Sequence, residues 1–282
     1  MPTPRDRVRA ALALTLALGA CGCSPTLSTM RPARLVPAGH VELGTSFEAS
    51  LPSGEIRDAL DRARGISGEL TRADVGLLAD AATAALVHSP GIGNQISLAY
   101  GVSRRVELDA RVSMTAVRGG LRVQLLRVKP GIYVALGVGV THQFVGLPIQ
   151  RFTSAAELRS FSRQELDVPL TAGFSSRAFH LWLGPKLVVA RYDASVSACL
   201  DRQDGLCAMP ATMALEGTAA YLAGQIGLAI GWKSVWLAAE LTVARLGVDA
   251  TMQIDSAAMH EAHTFGGGGL VLAPAVGLFA WF

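Results

Sequence analysis

The chain is poor in charge, in lysine and in long apolar runs, and each shortage closes off a class of protein. Charged residues make up 17 % of its 282 positions, and Lys129, Lys186 and Lys233 are the only lysines. The net charge is +3, of which the leader carries +2 through Arg5, Arg7 and Arg9 against Asp6, leaving about +1 on the rest. There is no electrostatic case for nucleic acid as a partner. The apolar run Ala10 to Leu18 is about half of the roughly 20 residues a spanning helix needs, which argues against a plain transmembrane helix. A zinc-hydrolase motif is also lacking, because His260-Glu261-Ala262-His263 does not have the His-Glu-x-x-His spacing and a Gly-rich run follows it.

Half of the residues are hydrophobic and 30 are Gly, so the chain can bury a large core. Ile96, Leu98, Tyr100 and Val102 alternate with small and polar residues, a turn falls at Ser103-Arg104-Arg105, and Val106, Leu108, Ala110, Val112 and Met114 alternate with Glu107, Asp109, Arg111 and Ser113. Period-2 alternation across a short polar turn predicts an antiparallel hairpin with one aliphatic face. The charged face meets either bulk water or a wet interior.

The same reading along the chain predicts ten strands. The first covers 40–49, and apolar residues at helical spacing over Glu55 to Arg64 and Glu69 to Leu86 place one or two helices in an insertion at 52–90. Further strands carry Leu121 to Leu125, Ile132 to Val140, Leu166 to Phe174, Phe179 to Val189, Leu222 to Trp232, Val235 to Val243 and Leu270 to Phe282. Stretches 143–164, 193–217 and 249–269 read as long loops. Tight turns and long loops thus segregate to opposite ends, the sidedness of an up-and-down outer-membrane barrel with an aliphatic exterior. A soluble sandwich would put the same aliphatics inside.

Residues 1–20 have the basic, apolar and small-residue regions of a secretory signal. Leu18-Gly19-Ala20-Cys21 resembles the bacterial lipobox, which implies acylation of Cys21 after cleavage; a conventional cleavage site with an incidental Cys is the alternative. Gly22, where inner-membrane lipoproteins usually carry Asp, implies by the same resemblance sorting to the outer membrane. Residues 21–39, with Pro25, Pro32 and Pro37, read as a tether. The last residues resemble the C-terminal assembly signal of outer-membrane barrels, with Gly277, Ala280 and Phe282 in its three places. The stretch Leu98 to Leu108 is similar to a hairpin common among Gram-negative outer-membrane lipoproteins. Together these resemblances imply an outer-membrane β-barrel lipoprotein at 40–282, served by the barrel-assembly and lipoprotein-sorting machineries and held in outer-membrane lipid. They bring no catalytic motif and no cofactor.

Six charges are expected to face the barrel interior: Glu107, Asp109, Arg111, Arg122, Lys186 and Glu240. Ion-paired packing is the preferred account over a conducting pore, since side chains nearly fill a barrel of this size. Cys199 and Cys207, in one loop of an exported chain, are expected to form a disulfide worth about 2 to 3 kcal/mol. Trp182, Trp232, Trp236 and Trp281 fall near strand ends, where membrane interfaces favour them. The leading expectation is a non-enzymatic outer-membrane barrel lipoprotein, structural or carrying small solutes. The alternative is a lipid-tethered periplasmic ligand-binding β-barrel or sandwich. A membrane-embedded hydrolase using His142 with Asp193 or Asp255, or His260 and His263, is a weaker third.

Overall fold

The computed structural model describes residues 26–64, 72–128, 131–144, 156–203, 206–232, 234–256 and 260–282. Ten antiparallel strands form one closed barrel in up-and-down order: β1 (Val41–Pro52), β2 (Gly91–Gly101), β3 (Val106–Val112), β4 (Ala116–Val128), β5 (Ile132–Gln143), β6 (Ala156–Ser175), β7 (Phe179–Gln203), β8 (Leu206–Trp232), β9 (Val235–Ser256) and β10 (His260–Trp281). The seam closes between β1 and β10, where Glu42 faces Trp281 and Val41 and Phe282 exchange backbone hydrogen bonds. Closure leaves no unpaired edge along the height that β1 shares with β10, and above Val271 β10 pairs with β9 alone. Helices α1 (Glu55–Arg64) and α2 (Arg72–His88) lie between β1 and β2.

Two expected loops are strands. The described residues of 193–217 and 249–269 extend β7, β8, β9 and β10 into long hairpins that project beyond the rest of the barrel. Polar outward residues such as Asp249, Thr251 and Gln253 give these stretches a loop-like composition, but Val248, Ala250, Met252 and Ile254 between them keep the alternation and are buried. Within 143–164, residues 156–164 are likewise the outer part of β6, which begins at Ala156, and 145–155 lie outside the described residues.

On the barrel's outer surface, aliphatics end at a common level. Outward positions run Leu222, Ile226, Leu228, Ile230 and Trp232 on β8 and Val235, Leu237, Leu241 and Val243 on β9; beyond them come Glu216 and Thr218, and Arg245 and Asp249. The boundary follows the strand register: Val140 faces Leu166, which faces Val189, while next to them His142 faces Gln164, which faces Arg191. From Leu222 to Trp232 the strand rises roughly 33 Å at about 3.3 Å per residue. Tilted by about 45°, that is roughly 23 Å, close to the ~25 Å apolar belt of outer-membrane barrels.

Above this belt the barrel is a crown with an apolar interior. Tyr192, Val196, Met213, Leu215, Leu246, Met252, Ile254 and Phe265 pack around Ile56, Ala59 and Leu60 of α1 and Ala79, Ala84, Leu86 and Val87 of α2. Helix α1 is amphipathic and begins with Glu55 and Asp58, acids that suit the positive end of a helix. From Thr83 to His88 α2 is buried on all sides, and this end of the helix therefore fills the mouth from within.

Residues 26–39 are not a solvated tether. From Leu27 to Ala33, and again at Leu35 and Val36, the chain is buried inside the lumen.

Candidate functional site: a lumen filled by the amino-terminal arm

An extended segment inside a barrel cannot pair its backbone in a ladder, yet buried N–H and C=O groups need partners. Here inward-facing side chains supply them. Glu48 accepts from the amides of Leu27 (2.7 Å) and Ser28 (2.6 Å). Glu240 accepts from the amides of Thr29 (2.7 Å) and Met30 (2.9 Å), the Thr29 hydroxyl (3.2 Å) and the Trp182 indole (2.8 Å). Glu107 accepts from the Val36 amide at 2.7 Å. Opposite them, Lys186 donates to the Leu27 carbonyl (2.8 Å), Arg111 to that of Ser28 (3.0 Å), Arg122 to that of Pro32 (2.6 Å) and Gln124 to that of Ala33 (3.1 Å).

Five of the six interior charges thus meet the arm directly. The sixth, Asp109, pairs with Arg118, which also holds Asp167 through two bonds of 2.6 and 2.9 Å. Ion pairs between wall residues are therefore only part of the packing, and the arm's backbone is the larger part. Sequence reasoning missed Glu42, Glu48, Gln124 and Arg31. The Arg31 guanidinium lies 2.8 Å from Glu42 and 3.5 Å from Glu107, joining the arm to two walls. At Gly101 the arm crosses so closely that a Cβ would collide with the Pro37 carbonyl.

The floor of the lumen is aromatic. Trp182 and Trp236 are buried and Trp281 is partly so, and the latter two gather with Phe279 around His180, whose ring centroid is 4.1 Å from that of Trp236. The interface-belt reading therefore fails for these three tryptophans, which point inward: Gly227 leaves room for the Trp182 ring and Gly231 for that of Trp236, and the Trp281 indole donates to Glu42. Trp232 alone faces out, 80 % exposed.

At the crown, Arg163 and the Tyr221 hydroxyl donate to the Val87 carbonyl at the end of α2, and His88 sits 2.5 Å from the Ser50 hydroxyl and 3.2 Å from that of Tyr221. With Tyr221 donating to Val87, its oxygen accepts from His88 Nδ1–H, which leaves Nε2 to accept from Ser50: a neutral imidazole. Burial, reinforced by Arg163, pushes the His88 pKa down to about 3.

The hydrolase candidates do not converge. His260 pairs with Asp255 on an exposed hairpin, His263 meets Asp80 of α2 at 2.7 Å, and His142 lies beside Phe144 on the outer face, their rings tilted and 6.4 Å apart. Among the described residues no three His, Cys, Asp or Glu side chains gather as metal ligands. Cys199 and Cys207 lie on the facing strands of the β7–β8 hairpin, not in a loop, Cys199 opposite Pro210 and Cys207 opposite Arg202. Cys207 is disulfide-bonded, and the Cys199 side chain lies outside the described residues. Cys21 also lies outside them. Gly277 faces Ser46 and Ala280 faces Leu43 along the seam that Phe282 ends.

No family model matches the chain, and no curated protein matches its sequence. Among solved structures it is similar to Neisserial surface protein A, with 10 % identity over 86 % of this chain and 95 % of that one and a TM-score of 0.34. It is also similar to the CymD monoaromatic hydrocarbon channel (8 % identity, 93 % and 94 % of the two chains, TM-score 0.25) and to the Ralstonia pickettii toluene transporter TbuX (8 %, 89 % and 91 %, 0.25). These likenesses are distant and assign no role to any residue here.

Proposed function

We propose that this chain is a non-enzymatic outer-membrane barrel lipoprotein, acylated at Cys21, whose lumen is stoppered by its own amino-terminal arm and helical insertion. The observation that carries the reading is the ring of exposed aliphatics, which ends at Val140, Leu166 and Val189, opposite one another across β5, β6 and β7, and, within two positions of one another in register, at Leu222, Val243 and Leu270. Such a band is costly in water and satisfied in lipid. The lipid-tethered periplasmic binder needs those aliphatics in a dry centre, whereas they cover the exterior. Within this reading, short turns face the periplasm, the β7–β8 and β9–β10 hairpins face outward, and a Cys199–Cys207 disulfide pins one hairpin tip. Gly277, Ala280 and Phe282 serve as the assembly signal. A stoppered lumen favours a structural or surface-display role over free diffusion of solutes.

Boiled and unboiled samples compared by gel electrophoresis test the embedding. A heat-dependent shift, with protease cuts in intact cells confined to 52–90, 145–155 and the two hairpin tips, supports the reading. Identical migration together with release by lipase alone overturns it.

A further inference from the structure

The bonds to the arm give it a direction. Gly39 donates to the Gly101 carbonyl at the short-turn end of β2. Val36 reaches Glu107 and Arg31 reaches Glu42, both within two positions of a strand's lower end. Thr29 and Met30 then reach Glu240, five positions up β9, and Leu27 reaches Glu48 and Lys186, seven positions up β1 and β7. Thr26 comes within 3.5 Å of Gln95 and lines a pocket with Ser113, Thr115 and Gln143, which belong to the outer rim where β3 turns into β4 and β5 ends. The arm climbs steadily from the short-turn end to the opposite mouth.

Resting on the outer-membrane reading above, we infer that the arm is threaded outward through the barrel, so that the mature amino terminus stands at the cell surface and acyl chains on Cys21 enter the outer leaflet. Two constraints support it. At the height of the belt the wall is closed by hydrogen-bonded ladders all the way round, and lateral escape is blocked. The lower lumen already holds the arm itself, the Arg31 layer and the aromatic floor, whereas the pocket beside Thr26 lies at the outer rim.

The mouth leaves a path on one side. Helices α1 and α2 pack against β7, β9 and β10. The pocket beside Thr26 opens on the opposite flank, toward the turn between β3 and β4. Because acyl chains cannot be drawn through a filled lumen, the barrel must close around the arm during assembly. The partner of this end of the protein is thus the lipid of the outer leaflet, and Arg31, Glu48, Glu107 and Glu240 are positioning residues that hold the thread.

Epitope tags in intact cells test the inference. One tag is placed between Cys23 and Ser24 with flexible Gly/Ser spacers, a second at the β7–β8 tip between 204 and 205, and a third in the turn Ser103–Arg105. Each tagged protein is first checked for the heat-dependent gel shift that reports a closed barrel. Antibody labelling of the first two tags in intact cells, with the third labelled only after permeabilisation, is the expected result. Labelling of the tip alone, with the amino-terminal tag appearing only after permeabilisation, overturns the threading and leaves the barrel reading standing. Labelling of the Ser103–Arg105 tag, or of none, overturns both. Mass spectrometry of the amino-terminal peptide from the same cells decides the acyl clause: an acylated Cys21 supports it, and an unmodified Cys21 removes it.

Discussion

The belt and the crown of this barrel share strands, alternation and hydrogen-bond register, and they are inside out relative to each other. On β9 the outward residues are Val235, Leu237, Leu241 and Val243 below, then Arg245, Asp249, Thr251 and Gln253 above. Inward, Glu240 and Thr242 give way to Leu246, Val248, Met252 and Ile254. Alternation sets which residues share a face, while the medium beyond the wall sets which face is apolar. The two interiors consequently take different fillers. The crown holds Ala-rich α2, whose backbone bonds are satisfied within the helix. The belt holds an extended arm whose unpaired amides and carbonyls use the very charges that an apolar filler would strand.

The comparison breaks most severely at Glu240. Glu240→Ala removes the acceptor shared by Thr29, Met30 and Trp182. With about 1–3 kcal/mol for each buried donor left unpaired, the belt interior is expected to lose upwards of about 4 kcal/mol in denaturant titration. Planar-bilayer recordings should then reveal conductance that the parent barrel lacks; an equally stable, silent variant would mean the arm is not held by this carboxylate. In the crown the matching change is Leu215→Ala, which empties an apolar site packed on the helices. It should cost about 2–5 kcal/mol without opening a pore, because the arm is untouched.

Changes on the outer face sharpen the contrast. Ile226→Arg puts a charge at mid-belt and should cost about 2–4 kcal/mol in refolding into vesicles. Thr212→Arg, on the same face of the same strand but in the crown, should stay within about 0.5 kcal/mol. Equal costs at the two positions would place both in the same medium and remove the membrane belt.

Period-2 alternation made the strands legible, and in the crown it continued through Ala194, Val196, Met213, Leu215, Met252 and Ile254 with its polarity reversed. The polar outward residues and Gly266–Gly269 give those stretches the composition of loops. The arm was hidden for a different reason. Its partners are distant in sequence, Thr29 and Glu240 by 211 residues, and its Pro and Ser content is that of a linker. One signal did exist. Glu42, Glu48, Glu107, Asp109, Asp167 and Glu240 all fall on the inward face, more carboxylates than the inward Arg111, Arg118, Arg122 and Lys186 balance, and a surplus of buried acceptors calls for donors from elsewhere.

The remaining expected effect is in pH dependence, and it belongs to the crown. His88 is buried against Ser50, Tyr221 and Arg163, the last paired with Glu165, and its pKa is lowered to about 3 from about 6.5 in an unfolded chain. Between those values the unfolded chain binds a proton that the folded one does not. The stabilisation from neutral His88 is therefore complete above about pH 6.5 and declines as pH falls, by about 1.4 kcal/mol per pH unit at most, until about pH 3. His88→Gln keeps a donor and an acceptor at the site but does not titrate. Its stability should consequently be lower than that of the parent at pH 7.5, with the difference narrowing steadily toward pH 5. Proteolysis of α1 and α2 follows the same equilibrium, faster at pH 5 than at pH 7.5 in the parent and less pH-dependent in the variant. A difference that does not change with pH would mean that His88 is already solvated or charged, and that the end of α2 is held by Arg163 and Tyr221 alone.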